Sequence, residues 1–521
     1  AVTGSSISGT GVFSLGGNVR VVSAGTGASG ATISCPLSLI ASRSFTVADD
    51  GSAAKDLTVS GIVSGATFGV TKLGVGTMEM SALNTYTGTT TVSAGTLRAT
   101  NNTVVASTNG PFGNNASGLN LGGGTIESNV ATFSRAMTVT VTNSRIDAYG
   151  AARTITSAIN LATAGTFNLY VGGTTAASAE GQTLTLSSVI SNSAGTLSLI
   201  KTGTSTATFS GANTYTGTTT VSGGTLIAGA SVAVSTNGPF GNSASTLTLG
   251  DAATTTNNWS PSLLTGGAFT ISRTVTIANQ TTSGTYNIGG NTANTSIFSG
   301  TITMNQALFI TQIAAGTVQI SGTLTTGTNK LTKIGAGTFQ RTSASLSLGG
   351  DFEVNAGTYN ANAFATTVTG LTTVSGGTYT ASTAAQTLNG GLTVSGGTYT
   401  GLSGTAGNTV STNVTLSSGT LSAPGSTGTF TVSGNWLNSG GTFTTNSGLV
   451  NFNGTTQSIG GSSSTTFNSL TISGTSSTTL AINTAISANL TVSGTFDLST
   501  FTCNRGTAGG TLNVSGTLRL G

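Results

Sequence analysis

A string that returns every twenty residues sets the strongest limit on what this chain can fold into. VNAGTYN begins at Val354, VSGGTYT at Val374 and VSGGTYT again at Val394. Apolar positions continue at Val414, Val432, Ile472, Val492 and Val514, at steps of 20, 18, 40, 20 and 22. A fixed period of this length means a repeat architecture, in which each unit buries its apolar face only by stacking on its neighbours. Within one repeat, Leu392-Thr393-Val394 alternates apolar and polar residues, as a half-buried strand does. Ser395-Gly396-Gly397 breaks the strand, because glycine supplies the positive φ of a sharp corner. Alternation restarts at Thr398-Tyr399-Thr400 on the next face. Short strands joined by glycine corners, without a 3.6-residue period, predict an all-β chain wound as a parallel β-helix, or β-solenoid, of about 20 residues per turn. Stacked turns put Val354, Val374 and Val394 in one ladder and Tyr359, Tyr379 and Tyr399 in another. At about 4.8 Å per turn, roughly 26 turns make a single elongated rod on the order of 120 Å long.

A longer duplication lies upstream. KLGVGTMEMSALNTYTGTTTVSAGTL runs from Lys72 to Leu97, and KTGTSTATFSGANTYTGTTTVSGGTL from Lys201 to Leu226, offset by 129. Each leads to the string STNGPFGN, at Ser107 to Asn114 and again at Ser235 to Asn242. SRSFTV at Ser42, SRAMTV at Ser134 and SRTVTI at Ser272 precede the next Lys-x-Gly string, and a third such string, KIGAGTFQ, starts at Lys333. The expected organisation is a partial module over 1–70, one module over 71–198, a second over 199–330, and finer-period turns over 331–521. Arg43, Arg135 and Arg273 in the Ser-Arg strings read as markers of a module corner.

The string GxGT…NTYTGTTTVSxGTL, at Gly76 to Leu97 and echoed at Gly203 to Leu226, resembles the autotransporter-associated β-strand repeat of secreted bacterial passenger domains and large surface proteins. That resemblance implies a right-handed parallel β-helix, a bacterial origin, and an extracellular or cell-surface location after removal of a signal peptide. The likeness is close over two stretches of about 30 residues and looser from Lys333 to Tyr359. It departs at the C-terminus, where GTLNVSGTLRLG does not resemble a translocator barrel. At the other end, AVTGSSISGT lacks an initiator methionine and a charged-then-apolar leader, which suits a leader cut at a small residue.

Composition narrows the chemistry. The 521 residues include 78 Gly, 15 Lys+Arg, 11 Asp+Glu, two Cys and no His. Without imidazole there is no Ser-His-Asp or Cys-His nucleophile and no His-ligated zinc. Cations are scattered singly, so no phosphate-tracking stripe and no nucleic-acid partner are expected. No apolar run reaches the roughly 18 residues of a membrane span. Sugar-cleaving β-helices need two carboxyls within about 5–10 Å. Only Asp49/Asp50/Asp56 and Asp351/Glu353 lie close in sequence, and both groups read as turn or solvated carboxylates. No cofactor, metal or catalytic residue is therefore expected. Ice-binding solenoids carry outward Thr-x-Thr on adjacent turns, but the runs Thr89–Thr91 and Thr218–Thr220 lie a module apart, and threonine reads as an outward strand filler. The tyrosine ladder reads as packing in preference to a glycan-stacking stripe.

Strand-like alternation starts by Ile7 and continues through Leu518 without an evident cap. Either the chain is cut from a longer solenoid or its ends stack on further copies, and head-to-tail contact that does not close makes a filament. Cys35 and Cys503 lie near opposite ends of such a rod, too far apart to pair within it, and become candidates for an inter-subunit junction. The sequence thus points to an extracellular structural protein that self-assembles head to tail. The second reading is an autotransporter-like adhesin that presents a face to cell-surface glycans or other surface proteins, and the third is a polysaccharide-active β-helix enzyme.

Overall fold

The computed structural model describes residues 5–22, 30–49, 51, 55–116, 118–173, 182–281, 283–401, 407–425, 427–506 and 510–521. It forms two units, Ala1–Arg273 with Gln280–Gly284, and Thr274–Asn279 with Thr285–Gly521. Each unit is a parallel β-solenoid.

In the first unit each turn contributes short strands to adjoining columns, and successive turns pair in parallel. One inward column runs Leu57, Met78, Leu97, Ile126, Ile146, all fully buried. A second runs Phe45, Lys72, Val92, Leu121, Val139, Leu161. Burying an aliphatic side chain yields about 1.5–3 kcal/mol, and each turn obtains it only from the turns above and below. The step between paired strands varies here, from 18 residues between Leu119 and Met137 to 37 between Thr225 and Ser262. The surplus residues form loops outside the strand columns.

The second unit is more regular. Ile310, Lys333, Val354, Val374, Val394 and Leu416 stack in register, as do Phe339, Tyr359, Tyr379, Tyr399 and Leu421. A third column runs Val410, Val432, Phe452, Ile472, Val492, Val514.

The pairing corrects the expected frame. Val414 does not follow Val394: Val394 pairs with Leu416, and Val414 pairs with Leu392. That turn spans 22 residues, so the frame slips by two, and a two-residue slip keeps every side chain on its face. Val432 and the later members of the sequence series belong to the third column. Among the described residues helix is nearly absent, yet one short helix, Ala252–Asn257, interrupts the strands of the first unit. Asp251 and Thr254 form a reciprocal capping box, and Asn258 ends the helix in the left-handed region. Six residues are too few to show a helical period, so only the Asp-x-x-Thr cap marked it.

Candidate functional site

The three Lys-x-Gly strings share one geometry. Lys72, Lys201 and Lys333 occupy inward positions flanked by apolar residues on neighbouring turns: Phe45 and Val92, Val171 and Val221, Ile310 and Val354. All three side chains are fully buried. Each ammonium donates to three main-chain carbonyls. Lys72 Nζ reaches Leu73 O, Gly74 O and Ala94 O at 2.9, 2.7 and 3.1 Å. Lys201 reaches Thr202 O, Gly203 O and Gly223 O, and Lys333 reaches Ile334 O, Gly335 O and Ala356 O. Gly74, Gly203 and Gly335 have φ of +74°, +66° and +70°, which glycine adopts without strain where the chain turns its carbonyl back toward the amine. The third carbonyl comes from the next turn, so each lysine ties two turns together. Burial pulls Lys72 and Lys333 down to about 8, and Lys201 to about 7, with Asp56 opposing this at Lys72 and Asp147 at Lys201.

The strings NTYTG and STNGPFGN form a second clamp, present twice. Asn84 Oδ1 accepts from Val63 N at 2.7 Å while its Nδ2 donates to Pro111 O at 2.7 Å. Asn213 does the same with Ile190 N and Pro239 O. Tyr86 hydroxyl meets Thr90 Oγ1 at 2.7 Å, and Tyr215 meets Thr219 Oγ1 at 2.8 Å. Burial pushes the Tyr86 phenol up to about 12 and raises Tyr215 as well. Gly113 has φ +78°, and a β-carbon there would sit 2.6 Å from Tyr86 Cε2. Arg135 and Arg273, both about 1% exposed, close the clamps through NH1 to Phe112 O and Phe240 O, each at 2.5 Å. Arg43 is less buried and donates from Nε to Leu15 O at 2.9 Å. The asparagines and arginines hold backbone, and the tyrosines hold the threonines beside them.

Two stretches match the passenger-associated transport repeat. They are residues 70–99 and 199–228, which contain Lys72, Asn84, Tyr86 and Thr90 and their counterparts Lys201, Asn213, Tyr215 and Thr219. With the parallel β-solenoid fold, the match makes the chain similar to autotransporter passengers and associates it with secreted or surface proteins. Comparison with curated proteins and with solved structures found no match. Among the described residues no helix is long and apolar enough to cross a membrane.

Tyr359, Tyr379 and Tyr399 lie inside the second unit, with ring centroids 4.9 and 4.8 Å apart. Their hydroxyls meet a polar column that sequence reasoning missed: Thr366 Oγ1 at 2.8 Å, Gln386 Oε1 at 2.8 Å and Asn408 Oδ1 at 2.7 Å. Thr366, Gln386 and Asn408 pair in register on consecutive turns. The first residue of Thr-Thr-Val, Gln-Thr-Leu and Asn-Thr-Val therefore faces inward, a signal readable only once the tyrosines are known to need partners.

Asp351 Oδ1 accepts from Leu371 N at 2.8 Å, the cap of a free amide. Glu353 pairs with Lys330 at 2.7 Å and accepts from Ser375 Oγ at 2.7 Å. Burial alone would raise its pKa, but these partners hold it below the usual carboxylate range. Asp49 Oδ1 accepts from Gly51 N at 2.7 Å, and Asp50 lies outside the described residues. A different charge cluster had no sequence signal: Glu79, Arg98 and Glu127 stand in register on consecutive turns. Arg98 Nε donates to Glu127 at 2.7 Å, and its guanidinium lies 3.5 Å from the Tyr149 ring centroid. Cys35 is buried in the first unit. Cys503 is half-buried in the second, and burial pushes its thiol up to about 11.

Proposed function

We propose that the chain is a structural solenoid of a secreted, passenger-type surface protein, and that its copies add head to tail into a fibre. The observation that carries this reading is the register. Turn after turn pairs in parallel, and the residues of the matched repeat are used to hold turns together. A parallel edge is completed by any further parallel turn, and in the fibre that turn belongs to another copy. A heterologous contact of this kind repeats without closing.

Sedimentation velocity of the purified chain over a wide concentration range tests it. Reducing buffer removes any contribution from Cys35 or Cys503. Mass that climbs with concentration supports end-to-end addition, and one boundary that stays fixed overturns the fibre.

A further inference from the structure

The fold assembles a threonine array that neither Thr-Thr-Thr run provides. In the second unit Thr317, Thr338, Thr358, Thr378, Thr398 and Thr420 stand opposite one another on consecutive turns, within a column that extends from Thr295 to Thr442. Two residues further along each strand, Gln340, Asn360, Thr380, Thr400 and Ser422 make a second outward column. The buried side chains between the columns, Tyr359, Tyr379 and Tyr399 among them, hold the sheet from behind.

Three features bear on what such a face recognises. The first is the two-dimensional repeat: about 4.8 Å from turn to turn and about 6.6 Å between alternate residues of a parallel strand. A linear polymer needs only one repeat, whereas a crystal surface has two. The second is freedom to bond. Among the described residues no hydroxyl of the six threonines named above has a partner within the protein. Polar side chains elsewhere on the unit are already paired: Ser411 donates to Asn389, Ser433 to Asn453 and Ser473 to Asn451. The third is neutrality. From Val354 to Phe496 the chain contains no Lys, Arg, Asp, Glu or His. An ionic partner finds no counter-charge there, and a glycan finds no aromatic plate because the tyrosines of these strands face inward.

We propose that this threonine face binds ice. Each threonine offers one hydroxyl that donates and accepts and one methyl that shelters the neighbouring water. Repeated on both spacings, these groups hold a water layer that matches a crystal growing against it. The reading is independent of the fibre, since it needs only the second unit's face.

The test is the shape and growth of ice crystals in solutions of the purified chain, with the gap between melting and freezing temperatures as readout. The native chain is expected to facet the crystals and open a gap. The double variant Thr378→Lys/Thr398→Lys is expected to lose both, while Ser411→Lys/Ser433→Lys, where the hydroxyls are already paired with Asn389 and Asn453, keeps them. Far-ultraviolet circular dichroism establishes that each variant retains its β-structure. Round crystals with no gap for the native chain overturn the proposal, and so does equal activity in the two double variants.

Discussion

Tyr379 offers the sharpest test of how the second unit is held. Its ring stacks on Tyr399 and meets Tyr359 edge to face, and its hydroxyl donates to Gln386 Oε1 at 2.8 Å in a fully buried site. Tyr379→Phe keeps the stack and strands the amide oxygen, which costs about 1–3 kcal/mol. Tyr379→Ala also empties the ring's place, and aromatic truncation in a core costs about 3–5 kcal/mol. The order expected is therefore native, then Phe, then Ala. Stability in a stacked repeat is partly local. Urea unfolding followed by circular dichroism should thus be joined to amide exchange over the strands Thr372–Val374 and Leu392–Thr400, which flank the site. A background variant isolates the hydrogen bond. In Gln386→Met the acceptor is gone, so adding Tyr379→Phe should cost less than it does in the native background. A Tyr379→Phe cost that is the same in both backgrounds would refute the pairing, as would equal stability of the Phe and Ala variants.

Three further outcomes follow from the clamps. Arg273→Met removes the donor to Phe240 O and Ser245 O, so amide exchange across 232–245 should quicken and stability fall by about 2–3 kcal/mol; unchanged exchange would show that the loop holds itself. Gly113→Ala forces a positive φ and a clash with Tyr86, with an expected loss of about 1–3 kcal/mol in the urea midpoint analysis. Stability should rise from pH 7 toward pH 9. Burial leaves Lys72, Lys201 and Lys333 deprotonating near 8, 7 and 8 in the fold but near 10.5 when unfolded, so the unfolded chain binds more protons in that window. Their contribution is complete above 10.5 and is lost as pH falls through 8 to 7. The buried tyrosines act in the opposite sense: their folded values are raised, so their contribution is full below pH 10 and is lost above it. Urea midpoints measured from pH 6 to 11 should peak between 9 and 10, and a flat profile in Lys201→Met and native chain alike would contradict the lysine assignment.

Much of the fold was legible because its signals are local. Alternation at Leu392-Thr393-Val394 and the glycines after it mark strand and corner without knowledge of any partner. The duplication of NTYTG and STNGPFGN likewise marked a clamp that occurs twice, and the recurring Ser-Arg held the arginines that close it. What stayed hidden depends on which turn lies next to which. The slip that pairs Val394 with Leu416 arises in a turn two residues longer than its predecessors, and no single residue announces it. Lys72, Lys201 and Lys333 marked the repeated strings but not their own burial, because a buried lysine is rare, and only the converging carbonyls reveal why they are inside. The inward Thr366, Gln386 and Asn408 look like every other polar strand residue until the tyrosine hydroxyls are placed. The outward threonine column was legible only where the twenty-residue period holds, from Thr358 to Thr398; its extension to Thr317 and Thr420 needs the register.

Parallel turns complete one another within the chain and, in the proposed fibre, from copy to copy. Electron microscopy of the purified chain at high concentration tests it most directly. The expected image is of uniform unbranched fibres with a repeat of about 4.8 Å along the axis, continuous across the junctions. Dispersed particles at every concentration, or fibres without that repeat, would contradict it.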